Sequence, residues 1–481
     1  MGLSVVKRFG NQSLKRPRYY KGLLVLGIIA VGIVLGMVML TPSRGLVASL
    51  VATTIYAVVI AANPLHGLLL WIVTQPLADL YSNISLGAGI PDISPTRFCL
   101  GFITVLVLAR TAVGRKQLAR FTKIDAVAMF FLFGMILAVP EGRYGWQSLQ
   151  DVFDRFIVPV LVYMLAKNLV QDRGQLDRVV FSVLVLATYV GLYAIYEQIT
   201  GNILFVVREN AAVAYGQSGL RALRGLFGHP HPFGRVLGIA IPFNFYMVLE
   251  EKRARRRAIY LLTLVIMFVG LYLTYRRAAW IAAMASLFLI QLFYPRFRKV
   301  FIVLLVVTSA AVYLNRDRLD DSAVSNRVQA GDTSTLNGRT EGWEFAIELW
   351  KRRPITGYGY DQFGTLARQE GQRDTAIESQ YLSVLVSSGL AGFLPYVLLL
   401  IMIPLSFVKA FRDRDGPIDK RLIVMYWGAH LSYLVNAYTA TVGGVVTTSM
   451  LFLLAGALGG VIAQSTTADG RIWSVSGAVQ P

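Results

Sequence analysis

Cysteine and charge are what this sequence has least of. One cysteine, Cys99, stands among 481 residues, so no intramolecular disulfide can form and any domain outside a membrane must hold without one. The thiol reads as small, buried apolar filler. Charged residues make up 15% of the chain against 55% hydrophobic ones, and the mean hydropathy is +0.55. That imbalance excludes an ordinary soluble multidomain protein of this length. A Walker phosphate loop, a dinucleotide-binding glycine pattern after a strand, HExxH and GxSxG are all missing. Their absence removes the nucleotide, zinc-protease and serine-hydrolase chemistries those motifs carry.

What the chain has instead is long uncharged runs. "GLLVLGIIAVGIVLGMVMLT" (22–41) is a stretch of about 20 residues without charge, enough to cross ~30 Å of hydrocarbon as a helix. Further runs lie near 45–62, 65–81, 97–113, 124–140, 152–166, 179–199, 233–249, 258–274, 278–293, 300–314, 380–402, 422–438 and 444–463. Runs of this length exclude a membrane β-barrel, whose strands alternate in short segments. The predicted fold is an all-α polytopic integral membrane protein with about 12–14 transmembrane helices. The first run follows a basic tail but is longer than a signal-peptide core, and it reads as an uncleaved anchor.

Orientation follows from the basic loops, because Lys and Arg near helix ends stay on the cytoplasmic side. Segments 1–21, 110–123, 167–178, 250–257, 294–299 and 409–421 hold 27 of the 47 Lys and Arg with only seven acids, a net +20 that equals the formal charge of the whole chain. The basic excess therefore reports topology. Spread over short loops facing anionic headgroups, it does not form a nucleic-acid footprint. Both termini are predicted cytoplasmic. The outer face then holds a loop at 201–232, a tight connection "TYRRAAW" at 274–280 and a long insertion at 315–377. The expected organisation is a cytoplasmic basic tail (1–21), a bundle of about 11 helices (22–314), the insertion (315–377), C-terminal membrane helices (378–463) and a cytoplasmic tail (464–481).

The insertion carries nine Lys or Arg and ten Asp or Glu, so it is nearly neutral, and a loop this long is expected to fold into short helices. "TEGWEFAIELWKRRP" predicts one, with Thr340 as its cap, Glu341 and Glu344 in the first turn and Pro354 ending it. Trp343, Ala346, Ile347 and Trp350, at i, i+3, i+4 and i+7, are expected to form its apolar face.

Arginine on the outer side runs against the positive-inside bias, so each one there calls for a reason. Arg276 and Arg277 are pinned between two apolar runs; snorkelling toward headgroups is the plain alternative for either. Arg339 is expected just ahead of the insertion helix, where free backbone N–H groups already favour an anion. A forked guanidinium would add donors suited to phosphate. Arg221 and Arg224 bring more positive charge to the same side. Glu378 is expected at the outer mouth of the next membrane helix, on one face with Tyr381 and Leu382, or simply as a dipole partner of the helix start. His229 and His231 of "HPHP" make a poor metal site without an acid or Cys beside them; the prolines shape a stiff turn. No metal or other cofactor is expected.

"FGHPHPFGRVLGIAIP", "LTYRRAAWIAAMASLFL", "GRTEGWEFAIELWKRRPITGYGYDQF" and "ESQYLSVLVSSGLAGF" follow one another across about 225–400. In that order they resemble the O-antigen ligase and Wzy-type polymerase superfamily of bacterial envelope glycan enzymes. The resemblance implies a multi-pass protein of the bacterial inner membrane with one large, partly helical periplasmic loop. It also implies a metal-independent inverting glycosyltransferase whose donor is an undecaprenyl-pyrophosphate-linked glycan. The acceptor would be a second lipid-linked glycan or lipid A, with membrane lipids and a chain-length regulator or flippase as further partners. Carried over by motif, Arg276 or Arg277 and Arg339 match the family's outer arginines and would bind pyrophosphate; Arg221 and Arg224, in a longer and more exposed loop, would support them by charge alone. Glu378 and Arg339 are catalytic, and Trp343, Tyr381 and His231 line the substrate loop. Ligases place a His where this chain has Glu378, so polymerisation of exopolysaccharide or O-antigen repeats is the first expectation and ligation the second. A solute transporter is the third, its ionisable candidates being Glu197 and His430.

Overall fold

The computed structural model describes residues 44–81, 94–114, 117–139, 146–204, 223, 225–295, 298–314, 335–372, 377–413, 416, 418–440 and 444–475. The apolar run at 22–41 lies outside them. The chain divides into Met1–Ile55 and Tyr56–Pro481. Of the first unit, the described part is the opening of helix α1 (Arg44–Ala62).

Long apolar runs become helices and polar punctuation separates them. After α1 come α2 (Pro64–Tyr81), α3 (Pro95–Ala112), α4 (Lys123–Leu137), α5 (Trp146–Val152), a π-turn at Phe153–Ile157, α6 (Val158–Leu169) and α7 (Arg173–Thr200). Then follow α8 (Pro230–Glu250), α9 (Ala254–Leu273), α10 (Arg277–Phe293) and α11 (Arg298–Leu314). The insertion forms α12 (Thr335–Arg352) and α13 (Phe363–Gln369), and the chain ends in α14 (Gln380–Ser406), α15 (Val408–Arg412), α16 (Lys420–Thr439) and α17 (Val445–Val475). No strand occurs among the described residues. The protein is an all-α polytopic membrane protein. Among those residues six helices are long and apolar enough to cross a membrane, and shorter apolar helices accompany them. The final helix runs past the expected end of its apolar segment at 463, to Val475.

Local chemistry sets the helix starts. The Ser94 hydroxyl accepts from the Arg97 N–H with Pro95 at the first position, a Thr122–Asp125 capping box opens α4, and Asp172 caps α7. The core is the centre of the bundle: Phe233, Val236, Leu237 and Phe243 of α8, Tyr426 and Tyr433 of α16, and Leu453, Leu454 and Leu458 of α17 are nearly inaccessible.

The two ends of the bundle differ. At one end four of the basic segments meet. The Arg173 guanidinium donates to the Tyr246 hydroxyl, which donates to Asp419 at 3.2 Å, while Arg421 pairs with Glu250 and Asp419. Buried Lys167 pairs with buried Asp125 and also donates to the Arg120 carbonyl at 3.1 Å. At the other end lie the Thr274–Arg277 turn, the first turns of α8 and α14, the last turn of α16, and the insertion. The α10/α16 pair shows this polarity: Phe293, ending α10, meets Trp427 near the start of α16, and Ser286 faces Gly428. The two helices run antiparallel, so Arg277 lies level with Thr439.

Candidate functional site at the insertion end of the bundle

The insertion docks through a backbone exchange that its sequence does not advertise. Helix α14 is interrupted at Gly389, with φ 57° and ψ −158°. In an unbroken helix, the Val386 and Ser387 carbonyls would accept from the N–H groups of Leu390 and Ala391. Here they accept instead from Tyr358 and Gly359 of "PITGYG", both at 2.9 Å, and the freed Leu390 and Ala391 N–H groups donate to Pro354 and Ile355 at 2.8 and 3.1 Å. Two helical bonds are replaced by four to the insertion, so none of these four backbone groups is left stranded. Only glycine fits the joint. A Cβ on Gly389 would lie 2.4 Å from the Ile355 carbonyl carbon, and one on Gly357, itself at φ 69°, 2.5 Å from the Val386 oxygen.

A small core seals the joint. Phe345, Ala346 and Leu349 of α12 pack with Phe363, Ala367, Ile377 and Val386. The helix forms, but not as the sequence suggested. It begins at Thr335, so Thr340 is not its cap, Glu341 and Glu344 are not in its first turn, and Arg339 lies inside it rather than ahead of it. The interior Gly338 costs about 1 kcal/mol, which is too little to stop the helix there. The buried face is Phe345, Ala346 and Leu349 rather than Trp343, Ala346, Ile347 and Trp350. Ile347 is 38% exposed, the Trp343 ring meets Tyr438 edge-on at 5.3 Å, and the Trp350 indole donates to the Pro354 carbonyl at 3.3 Å. The Trp350 N–H finds an acceptor outside the core, whereas the Trp343 Nε1 is buried without one.

Glu378 lies half-buried in the extended segment between Ile377 and the α14 cap, Ser379. It is therefore not on a helical face with Tyr381 and Leu382: the helix starts after it. Tyr381 donates to the Leu434 carbonyl of α16 at 3.1 Å. Arg276 caps α10 and Arg277 opens it, the former partly covered and the latter exposed. Their turn passes through Tyr275 at φ 48°, an uncommon conformation for a bulky residue. His229 caps α8, its Nδ1 accepting from the His231 N–H at 3.3 Å, and the two rings stack at 4.7 Å. Arg221 and Arg224 lie outside the described residues, as does the Arg339 side chain. The structure thus brings Glu378, Tyr381, Trp343, His231 and the Arg276–Arg277 turn to one end. The transporter candidates sit in packed settings: fully buried Glu197 accepts from the Gly225 N–H at 3.1 Å, and His430 contacts the Leu400 carbonyl at 2.9 Å.

A second polar cluster at this end was not anticipated. Arg155, in the π-turn, lies 5.6 Å over the Tyr360 ring and interacts with Asp151 and Asp361. Its neighbour Asp154 is held by Arg97 through bonds of 3.1 and 2.8 Å. Burial pushes the Asp151 carboxyl above the usual carboxylate range; Arg155 draws it down and Asp361 adds to the rise. Burial likewise raises the Tyr360 phenol. The one available signal was Arg155 itself, a cation inside an apolar run.

Residues 262–397 match the family model described as O-antigen ligase, Wzy_C. Over that segment, less than a third of its length, the chain is similar to O-antigen ligases. No curated protein matches the chain. The matched segment runs from within α9 to within α14 and so contains Arg276, Arg277, Arg339, Glu378 and both joint glycines. It supports a glycan-assembly role in the cell envelope, glycosyl-transfer chemistry on lipid-linked glycans, and a place in the bacterial inner membrane.

Proposed function

We propose that the protein polymerises exopolysaccharide or O-antigen repeats, taking glycan from an undecaprenyl-pyrophosphate donor at the outer face of the inner membrane. The observation that carries this reading is the insertion core, which closes over Ile377 and Val386 on either side of Glu378. A carboxylate is thereby held at the end of the bundle that also bears the Arg276–Arg277 turn, away from the paired basic loops.

In the proposed reaction the acceptor hydroxyl attacks the anomeric carbon from the face opposite the pyrophosphate. The new C–O bond forms as the bond to the pyrophosphate oxygen breaks, and the configuration inverts. Glu378 accepts the hydroxyl proton. The leaving lipid pyrophosphate takes the electron pair, and Arg276 or Arg277 with Arg339 stabilises its charge. Each such donor contributes about 3 kcal/mol in a dry site. Guanidinium groups supply the charge that a metal ion would otherwise bring, so the scheme is metal-independent. Trp343 and Tyr381 hold the insertion and the acceptor-side helix in register. The family description favours one second reading, ligation of glycan onto lipid A or another acceptor.

Purified protein given a polyprenyl-linked repeat unit should yield a ladder of products without lipid A. Glu378→Gln should lower kcat about 10²-fold or more, and Arg339→Ala by about 10²–10³. A single product formed only with lipid A would establish ligation instead. Normal ladders from both variants would remove these residues from the mechanism. Uptake of a labelled solute without any transfer would overturn both glycan readings.

A further inference from the structure

The family segment ends at 397, yet the polar cluster around Arg155 is built mostly from residues on either side of it. A small cavity at this junction is lined by Arg155, Gln380, Tyr396, Tyr433 and Thr448 on its polar side, with Phe131, Phe156 and Phe452 among its apolar walls. Its closed part measures about 10 Å³, room for one water-sized group. With its mouth it spans about 300 Å³. Gln380 follows Glu378 by two positions, so the cavity adjoins the proposed base. The aromatic walls are locked: Phe131 contacts Phe156 at 5.6 Å and Tyr396 at 5.3 Å, and Phe156 meets Tyr360 edge-on at 5.6 Å. Behind the phenols, buried Arg235 donates to the Ala440 carbonyl at 3.1 Å and faces Tyr396 and Tyr433.

Charge decides what such a cavity takes. Arg155, the one cation in the lining, already faces Asp151 and Asp361, and Arg235 stands behind the phenols rather than in the cavity wall, so a phosphate gains little by approaching. A neutral hydroxyl loses nothing by that pairing. It can both donate and accept, and the lining holds the Arg155 guanidinium, the Gln380 amide and a hydrogen-bonded row of hydroxyls, Thr448–Tyr433–Tyr396, that such a group can join, beside flat apolar rings. That mixture suits the polar edge and the C–H face of a sugar. Building on the glycosyl-transfer reading above, we propose that Arg155, Gln380, Tyr433 and Thr448 form the acceptor subsite, binding a hydroxyl-bearing arm of the acceptor sugar while its reacting hydroxyl meets Glu378. The pyrophosphate is left to the arginines of the matched segment.

Two variants test it, in full-length protein reconstituted in lipid nanodiscs. Thr448→Val keeps the side-chain shape, touches nothing in the insertion and removes one hydroxyl together with its bond to Tyr433. Arg155→Gln removes the charge. The probes are the repeat-unit oligosaccharide released from its lipid, and undecaprenyl pyrophosphate without sugar. Oligosaccharide binding and acceptor KM should weaken about threefold in Thr448→Val and about tenfold in Arg155→Gln, the difference between a neutral and a charged hydrogen bond. Binding of undecaprenyl pyrophosphate should be unchanged. If Arg155→Gln fails to fold, Thr448→Val decides alone. Wild-type affinity for the oligosaccharide in a folded Thr448→Val protein, equal weakening of both probes, or no oligosaccharide binding by the wild type would each overturn the subsite. A wild type that transfers glycan while both variants behave normally defeats the subsite but leaves the glycosyl-transfer reading standing. A wild type that binds the oligosaccharide in a Thr448-dependent way yet transfers nothing does the reverse.

Discussion

The two ends of the bundle both carry ion pairs, Arg97–Asp154 and Arg352–Glu370 among those at the insertion end, but they join their segments by different means. At the basic-loop end acids and cations pair across the loops: Asp125 with Lys167, Asp419 and Glu250 with Arg421, Asp177 with Arg173. These pairs hold loops together. At the insertion end the joints are made by backbone and rings, through the exchange at Gly389, the Phe345–Phe363 core and the Arg155–Tyr360 stack, and polar side chains are left lining a cavity. An ion pair is cheap where water reaches it and expensive where it does not. On the proposed reading, an end that receives a charged, sugar-bearing lipid is better joined by backbone and rings than by further buried ion pairs.

The comparison can be broken most decisively at the joint. Gly389→Val should cost about 3 kcal/mol or more, since the backbone there is open essentially only to glycine and the new side chain meets backbone it cannot displace. Thermal denaturation of the detergent-purified protein should show the midpoint fall by many degrees, and an unshifted midpoint would mean that the insertion is not joined there. Next comes Lys167→Met, which strands the Asp125 carboxylate in the interior and should cost about 3–5 kcal/mol. The double variant with Asp125→Leu should recover most of that. Molecules that remain folded should keep wild-type glycan transfer, because this pair belongs to the structural end; loss of transfer in the folded double variant would erase the distinction between ends.

The smallest effect concerns pH. Burial raises the Asp419 carboxyl, but hydrogen bonds from the Arg421 side chain and backbone outweigh it, and the net shift is downward. A carboxyl whose folded value lies below its unfolded one adds stability above the unfolded value, about 3.9 for Asp, and loses it as the pH falls through the folded one. Asp419→Asn should therefore lower the midpoint slightly at neutral pH, by up to about 1 kcal/mol for so exposed a pair, and the difference should vanish in acid. A gap that widened in acid would contradict the pairing.

Much of the fold could be read directly. Uncharged runs give helices because only a helix satisfies its own backbone in lipid. The basic segments 167–178, 250–257 and 409–421 do converge, because alternate loops of a serpentine chain must share an end. The site was less legible. Glu378 and Tyr381 suggested a shared helical face, but spacing alone cannot say where the first turn begins, and here it begins at Gln380. The two tryptophans suggested the buried face of α12, yet hydrophobicity along one helix does not reveal which of its sides will meet Phe363, Ala367 and Val386.

By itself, then, the sequence determined a helical membrane protein with one polar insertion among its spans and a run of envelope-glycan motifs around it, since composition and charge act locally and additively along the chain. Only the tertiary structure decided that "PITGYG" replaces a turn of α14, that Glu378 stands ahead of that helix, and that Arg155, Gln380, Tyr433 and Thr448 line one cavity. These are meetings between segments up to hundreds of residues apart, and backbone hydrogen bonds between such segments carry no side-chain signature beyond the glycines that make room for them.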